Sequence, residues 1–255
     1  MRIGVNGATG RMGRTVCAAV SAEPDLDLVA AVDPFGAGQV VEGVDVDEHL
    51  QAFVDAGCDV VVDFTVAVAA RDTLPWLADH GIHGVVGTTG FAASDFELFE
   101  SAFAAPEGPN CVIAPNFAIS AVLMMRFAEM AAPFFDTAEI IELHHDRKID
   151  APSGTALKTA DRMAAARPDA FEPDPTTDTV YEGARGGGGP AGIRVHSVRM
   201  RGMVAHQEVI LGATGQTLTI RQDSYDRESF MPGVILACRK ISSVPGLSRS
   251  LDPFL

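Results

Sequence analysis

The first thirteen residues limit the possible fold more than any other part of the chain. A short apolar run, Arg2–Asn6, is followed by glycines in the spacing GxxGxxG, at Gly7, Gly10 and Gly13. Glycines in this spacing allow a tight turn and let the backbone approach a pyrophosphate, while the helix that begins there offers unpaired N–H groups. Asp33 ends the next apolar run, 20 residues after Gly13, where a carboxylate can accept hydrogen bonds from an adenosine ribose. The order strand, glycine turn, helix, acid predicts a dinucleotide-binding βαβ unit.

The rest of the N-terminal half repeats this alternation of short apolar runs and helical stretches. The predicted strands are Arg2–Asn6, Leu26–Asp33, Asp59–Thr65, Gly84–Gly87 and Cys111–Ala114. Between them, Arg11–Ala22, Val66–His80 and Ala93–Ala104 carry apolar residues three to four positions apart, as amphipathic helices do. Strands that alternate with helices are typical of a parallel sheet with helices on both faces. The predicted fold class is therefore α/β, with a doubly wound Rossmann-type parallel sheet domain.

Two further turns follow predicted strands and should lie together at the carboxyl edge of that sheet. They are Gly87-Thr88-Thr89-Gly90 and Ala114-Pro115-Asn116-Phe117. Ordinary turn chemistry explains either turn alone as well as binding does. Because ligands of open α/β sheets bind outside the carboxyl ends of the strands, the shared position favours a role in cofactor binding.

The second half of the chain predicts a smaller α+β domain with an open mixed sheet. A strand is expected at Thr137–His145 and a helix from about Thr155 to Ala166. Residues 167–192 are rich in Pro, Asp and Gly and indicate a long surface loop or flexible linker. Three consecutive strands joined by short turns are expected at Ile193–Met200, Val204–Leu211 and Gln216–Gln222. The last helix, Ser229–Ile241, is expected to pack on the first domain.

The segment Glu142–Leu157 reads ELHHDRKIDAPSGTAL and contains two adjacent histidines followed by Arg147 and Lys148. In a strand, Glu142 and His144 point to one face while Leu143 and His145 point to the other. Adjacent histidines arranged in this way do not easily share one metal ion, and the segment has no HExxH or comparable ligand spacing. We therefore predict no metal, which leaves proton transfer and anion binding as functions for these side chains.

The same segment suits a small dianion that receives a proton. Lys148 follows the histidines, and Pro152-Ser153-Gly154-Thr155 opens a helix whose first N–H groups and hydroxyls suit a carboxylate. Hydride addition leaves an extra electron pair on the acceptor, so the site needs a proton donor and fixed positive charge beside it. The alternative is a solvated polar loop in which Ser153 is only an N-cap. Several donors close to a predicted nicotinamide site favour the functional interpretation.

Composition excludes several classes of protein. The net charge of −15 argues against general binding to nucleic acid or to an anionic membrane, because either polyanion would be repelled. No apolar run approaches the length of a membrane span, and the N-terminus enters a strand at once, so a cytoplasmic protein is expected. The four cysteines lack CxxC spacing and lie in apolar segments, which indicates core residues. They are Cys17, Cys58, Cys111 and Cys238.

The choice between NADH and NADPH depends on charges around the adenosine ribose. Asp33 repels a 2′-phosphate and favours NADH. Arg11 and Arg14 neutralise such a phosphate if they fold towards it. We therefore expect that either cofactor is usable and that NADH is preferred.

These residues resemble the dihydrodipicolinate reductase family, also called 4-hydroxy-tetrahydrodipicolinate reductase, of the diaminopimelate route to lysine. The resemblance covers nearly the whole chain and is most specific at His144–Thr155, HHDRKIDAPSGT, which is similar to the family pattern HHxxKxDAPSGTA. The glycine loop, Asn116-Phe117, His206-Gln207-Glu208 and Arg227-Glu228-Ser229-Phe230 are also similar to the family. The resemblance implies NAD(P)H-dependent reduction of a cyclic, unsaturated dicarboxylate.

Residue by residue, the resemblance implies that His144 is the proton donor and that Lys148 is a second donor or an electrostatic stabiliser. His145, Gly154 and Thr155 hold the substrate carboxylates, with Ser153 at the start of the same helix. The residues expected to line the cofactor are Gly7, Ala8, Thr9, Gly10, Arg11, Met12, Asp33, Gly87, Thr88, Thr89, Ala114, Pro115, Asn116 and Phe117.

The resemblance also implies a domain organisation and an oligomer. Residues 1–116 and 227–255 are expected to bind the dinucleotide, and residues 117–226 to bind the substrate and to assemble a homotetramer. The sequence departs from many relatives at Asp146, which places a negative charge beside an anion site. We expect Asp146 to point to solvent and to pair with Arg147.

Two alternatives remain open at this point. Another NAD(P) oxidoreductase of amino-acid metabolism, such as an aspartate or homoserine dehydrogenase, would share the first domain but not the HHxxKxDAPSGT element. A cofactor-binding sensor without turnover would share the fold, because a glycine-rich fold alone does not prove catalysis.

Overall fold

A sheet of eight strands forms the centre of the first of two compact units in the computed structural model, which describes all residues from 1 to 255. This unit comprises Met1–Ile119 and Arg227–Leu255. Its strands are β1 (Arg2–Asn6), β2 (Asp27–Val32), β3 (Val40–Val41), β4 (Val44–Asp47), β5 (Val60–Asp63), β6 (His83–Val86), β7 (Cys111–Ile113) and β13 (Leu247–Ser248). The strand order is β13-β7-β6-β5-β1-β2-β4-β3, and every neighbouring pair is parallel except β3 with β4. The chain runs outward from β1 in both directions, which places a topological switch point beside the glycine loop.

Helices cover both faces of this sheet, as predicted for a doubly wound fold. They are α1 (Arg11–Ala22), α2 (Gln51–Asp55), α3 (Ala67–Asp79), α4 (Ala93–Ala102) and α7 (Met231–Lys240). On one face α2, α3 and α4 contribute Phe53, Leu74 and Phe99 to the core. On the other face α1 and α7 pack together. The central strand β5 is buried throughout because both of its faces are covered, which explains its continuous valine run.

The second unit, Ser120–Asp226, contains a separate sheet of five strands. Its elements are α5 (Ile119–Ala131, which begins at the last residue of the first unit), β8 (Thr137–His144), α6 (Gly154–Ala165), β9 (Gly187–Gly188), β10 (Arg194–Arg199), β11 (Ala205–Ala213) and β12 (Gln216–Ser224). The order is β12-β11-β8-β10-β9, with β8 parallel to β10 and antiparallel to β11. The mixed sheet predicted from the sequence is therefore confirmed.

Alternation along β8 separates its two faces. Ala138, Ile140 and Glu142 are buried, whereas the intervening residues are partly or fully exposed. Gln207 lies opposite Glu142 on β11 and donates to the Thr159 hydroxyl of α6 at 2.8 Å. The helix α6 therefore covers the face of β8 that carries Glu142.

Two details of this unit differ from the sequence prediction. The strands β10 and β11 are consecutive in the chain but are not neighbours, since β8 lies between them. The long loop after α6 is anchored to the sheet, because Arg185 bonds both Glu139 of β8 and Asp174 of the loop. The glycine run at its end contributes the short strand β9, which pairs with β10.

The four cysteines are buried and free, as predicted. Burial raises the pKa of Cys58 to about 11 and that of Cys17 and Cys238 to about 12, so these thiols stay protonated near neutral pH. They pack as small apolar residues.

Candidate active site

The glycine loop between β1 and α1 has the geometry of an anion-binding turn. Gly7 has a φ of +75°, which favours glycine. A Cβ on Gly13 would lie 2.0 Å from the Gly7 carbonyl oxygen, so only glycine permits this close packing of helix and loop. The N-cap of α1, Gly10, offers no side-chain cap, and the first turn contains no acidic residue. The first N–H groups of α1 are therefore available to a phosphate.

Asp33, directly after β2, ties down this loop. Its side chain is buried, and its Oδ2 accepts hydrogen bonds from the backbone N–H (3.1 Å) and the hydroxyl of Thr9. Its Oδ1 accepts the Phe35 N–H at 3.1 Å. Arg14 donates to the Thr9 carbonyl and to Gln39 Oε1, whereas Arg11 is exposed. The carboxylate thus lies beside the glycine loop, and the guanidinium of Arg14 is bound to neutral acceptors.

A second buried acid, Asp63, joins three strand ends at this edge and was not predicted. It ends β5 and accepts hydrogen bonds from Asn6 Nδ2 (2.8 Å), the Thr65 hydroxyl (2.8 Å) and the Thr88 hydroxyl (2.7 Å). These partners follow or end β1, β5 and β6. An acid directly after a buried valine run was the available signal, and its bonding partners were not readable from the sequence.

The remaining predicted cofactor residues lie at the same carboxyl edge. The turns after β6 and β7 carry them. The side chains of Ala8, Thr88 and Phe117 are buried, so these residues present mainly backbone, whereas Thr89 and Pro115 are exposed. Asn116 accepts the Ala118 N–H at 2.8 Å and so shapes its own turn.

In the second unit, His144 at the end of β8 is bonded to a buried carboxylate. Its Nδ1 lies 2.5 Å from Glu142 Oε2, and the Glu142 side chain is 0% exposed. Arg199 of β10 donates to both carboxylate oxygens, at 2.9 and 2.8 Å. Burial by itself raises the pKa of Glu142, but the hydrogen bonds from His144 and Arg199 outweigh it and hold the pKa at about 2. The carboxylate is therefore ionised near neutral pH.

Lys148 lies in the turn after β8 and is paired with an acid of the same turn. Its Nζ is 2.8 and 2.7 Å from the two oxygens of Asp150, and the Lys148 side chain is 20% exposed. Hydrogen bonding to this ammonium holds the pKa of Asp150 below its usual range. Arg199 also donates to the Asp150 carbonyl oxygen at 2.7 Å. The predicted residues His144 and Lys148 are thus both linked to Arg199, which sequence reasoning missed.

The start of α6 completes this group of residues. Ser153 is the buried N-cap, and its hydroxyl accepts the Ala156 N–H at 3.2 Å. Its own N–H donates to Glu142 Oε1 at 3.2 Å. A Cβ added to Gly154 would meet nothing within 4 Å, and the first turn of α6, where Thr155 lies, has no acidic residue. The helix N-terminus is therefore open to an anion.

One expectation for this turn was wrong. Asp146 is exposed, as expected, but it pairs with Arg201 at 3.0 Å and not with Arg147. Arg201 lies in the connection between β10 and β11, and because both strands pair with β8, this connection lies at the end of β8. His145 accepts the Arg147 N–H at 3.2 Å through Nδ1, so the backbone at 147 closes the turn.

No group of three or more histidine, cysteine, aspartate or glutamate side chains is arranged to hold a metal ion. None of the helices combines the length and the apolar character that crossing a membrane requires.

Comparison with known proteins places both units in one family. A family model described as "Dihydrodipicolinate reductase, N-terminus" matches residues 1–117, and one described as "Dihydrodipicolinate reductase, C-terminus" matches residues 120–254. The chain is 52% identical over 258 residues to a 4-hydroxy-tetrahydrodipicolinate reductase of Nocardia farcinica, covering 100% of this chain and 98% of the relative. It is 50% identical to the enzyme of the same name from Corynebacterium urealyticum, again over 100% and 98%. A dipicolinate-bound dihydrodipicolinate reductase from Paenisporosarcina sp. TG-14 has a similar structure, with a TM-score of 0.89 and 36% identity over 100% of this chain and 99% of that one. The chain belongs to the dihydrodipicolinate reductase family.

Proposed function

We propose that this protein reduces 4-hydroxy-tetrahydrodipicolinate (dihydrodipicolinate) to tetrahydrodipicolinate with NADH or NADPH, in the diaminopimelate route to lysine. The observation that carries the proposal is the His144–Glu142 pair beside the open N-terminus of α6. It joins a proton donor to an anion site within the segment that resembles the family pattern. The names of the similar proteins and the dipicolinate bound to one of them support the same substrate class.

In this proposal His144 protonates the substrate through Nε2, because Nδ1 is engaged by Glu142. Lys148 stabilises the developing anion or acts as a second donor. An ammonium has three N–H donors, and Asp150 occupies two of them, so one remains for the substrate. His145 holds the carboxylates through its imidazole, and Gly154 and Thr155 through the first N–H groups of α6. Ser153, whose N–H is bound to Glu142, contributes through its hydroxyl.

The carboxyl edge of the first sheet fits a nicotinamide dinucleotide, which supplies the hydride when bound. The uncapped start of α1 and the glycine contact at residue 13 leave room for a pyrophosphate. The loop Gly7–Met12, Asp33 and the turns Gly87–Thr89 and Ala114–Phe117 would hold the cofactor. Asp33 disfavours a 2′-phosphate by charge repulsion, so we expect NADH to be preferred, and kcat/KM for the two cofactors tests this preference. A strong preference for NADPH would contradict it.

The activity is tested by following NAD(P)H absorbance with purified protein and freshly made substrate. We expect consumption that requires both reactants, and a fall in kcat of roughly 100-fold or more in His144→Asn and Lys148→Met. The matched controls are His49→Asn and Lys158→Met, which change exposed residues of the same types. Absence of consumption under conditions that support a related reductase would refute the activity, and near-normal turnover in both His144→Asn and Lys148→Met would refute the assigned roles.

The proposal extends to assembly and location. We propose a homotetramer in the cytoplasm, where a nicotinamide pool and small dicarboxylates are available. Light scattering should give about four times the chain mass of 26.8 kDa. A monomer at micromolar concentration would contradict the tetramer.

A further inference from the structure

Glu142 is a buried acid of the second unit, and its contacts come from three separate elements. Oε2 accepts from His144 Nδ1 (2.5 Å) and Arg199 Nη1 (2.9 Å). Oε1 accepts from Arg199 Nη2 (2.8 Å) and the Ser153 N–H (3.2 Å). Each oxygen of an ionised carboxylate has about two acceptor directions, and both are used on each oxygen. With a side chain that is 0% exposed, Glu142 has no free position from which to contact a substrate.

The charge of Glu142 is fixed by its surroundings. A carboxylate removed from water is costly unless it is paired and hydrogen-bonded, and the guanidinium of Arg199 meets it with two parallel bonds. Because the carboxylate accepts and does not donate, the proton between the two residues belongs to Nδ1 of His144.

The bond from Glu142 determines which proton His144 can give. A histidine whose Nδ1–H is held by a carboxylate has only its Nε2 proton to give, and it keeps the Nδ1 proton afterwards. Without that acceptor, the neutral ring is free to adopt the other tautomer and to rotate away from the substrate.

The same carboxylate also anchors the anion site. Through Oε1 it binds the N–H of Ser153, the residue that caps α6. One side chain therefore fixes the ring of His144 on β8 and the start of α6, and Arg199 of β10 holds that side chain in place.

We propose that Glu142 is a positioning residue: it fixes the tautomer and orientation of His144 and sets the placement of His144 relative to the N-terminus of α6. The inference rests on the proposed reductase function for its kinetic consequence. Its structural part, the bonded Nδ1–H of His144, holds whether or not that activity is found.

The chain offers a matched control on the opposite face of β8. Glu139 is also paired with one arginine and one histidine, namely Arg185 and His196 Nε2 (2.8 Å). Glu139→Gln removes a carboxylate with the same kinds of partner from the same strand. It leaves His144 and Ser153 untouched.

The experiment compares wild type, Glu142→Gln, Glu142→Asp and Glu139→Gln by steady-state kinetics and by NMR of protein labelled with ¹⁵N-histidine. In the wild type without substrate, we expect a strongly downfield Nδ1–H resonance, assigned by its absence in His144→Asn. Glu142→Gln should move this resonance upfield or abolish it, and should lower kcat by about 100-fold, the size typical of a lost general acid. Glu139→Gln should leave the Nδ1–H resonance of His144 in place and should change kcat by no more than about threefold.

NADH affinity, measured by fluorescence, should stay within about threefold in every variant, since the cofactor residues belong to the first unit. If Glu142→Gln fails to fold, Glu142→Asp keeps the charge for Arg199 on a shorter side chain, and we expect it to fold with a low kcat. An Nε2–H tautomer of His144 in the wild type, or turnover of a folded Glu142 variant equal to that of Glu139→Gln, would overturn the inference. A wild type without turnover but with the downfield Nδ1–H would instead refute only the reductase activity.

Discussion

Acidification should remove part of the stability of the fold through Glu142. The folded pKa of about 2 lies below the ordinary value of 4.5, so the ionised form is favoured by folding. A depressed pKa contributes stability that is fully present above the unfolded value and is lost as pH falls through the folded one. The sign is therefore a loss of stability between about pH 5 and pH 2.

The magnitude follows from the two pKa values. Their difference corresponds to about 3 kcal/mol of unfolding free energy at neutral pH, of which about 2 kcal/mol should be lost between pH 6 and pH 3. Because the carboxyl is 0% exposed, solvent screening does not reduce this value appreciably.

The assay is urea denaturation of wild type and Glu142→Gln at several pH values from 6 to 3, followed by circular dichroism. Glu142→Gln leaves Arg199 without its counter-charge, which lowers the free energy of unfolding by a similar amount at every pH. That amount shifts the difference in stability between wild type and variant but does not change how the difference depends on pH. We expect that difference to shrink by about 2 kcal/mol on going from pH 6 to pH 3. Glu97→Gln, on the exposed face of α4, controls for the loss of one acidic charge. A difference that stays constant within about 0.5 kcal/mol would refute the reasoning.

Three further predictions concern the first unit. Gly13→Ala should destabilise the protein by about 1–3 kcal/mol and weaken NADH binding, because its Cβ would lie 2.0 Å from a backbone oxygen; thermal melts and NADH titration check this. Asp63→Asn should cost about 1–3 kcal/mol, since one amide hydrogen then faces a donor in a buried cluster; unchanged melting and an unchanged KM for NADH would contradict it. Asp33→Ala should raise KM for NADH by roughly tenfold and reduce the preference for NADH over NADPH, because the acid that repels a 2′-phosphate is lost. If kcat/KM for NADH divided by kcat/KM for NADPH were the same in variant and wild type, Asp33 would have no role in cofactor choice.

The first sheet was predictable because its signals are local. The strand, glycine turn, helix and acid of the opening βαβ unit lie within 33 residues, and each long buried strand appears as an apolar run. The elements β3, β4, α2 and β13 were missed because they span only two to five residues, too few for a period to show. The position of β8 between β10 and β11 was missed because strand pairing depends on contacts far apart in the chain.

The residues around His144 in the second unit were also predictable only where the signal is local. Alternation along a strand placed Glu142 and His144 on one face, and their bond follows from that placement. Arg199 was missed because the parallel register of β10 on β8, which sets it opposite His144, is not encoded near either residue. The pairing of Asp146 with Arg201 was missed for the same reason, because it depends on how distant strands pair.

Charge pairing in the second unit limits which groups can attract the proposed dicarboxylate to a chain of net charge −15. Arg199 is neutralised by Glu142 and Lys148 by Asp150, so neither contributes a free unit of charge to an incoming anion. The partial positive charge at the N-terminus of α6, whose first turn has no acidic residue, therefore carries much of the attraction in the proposed site.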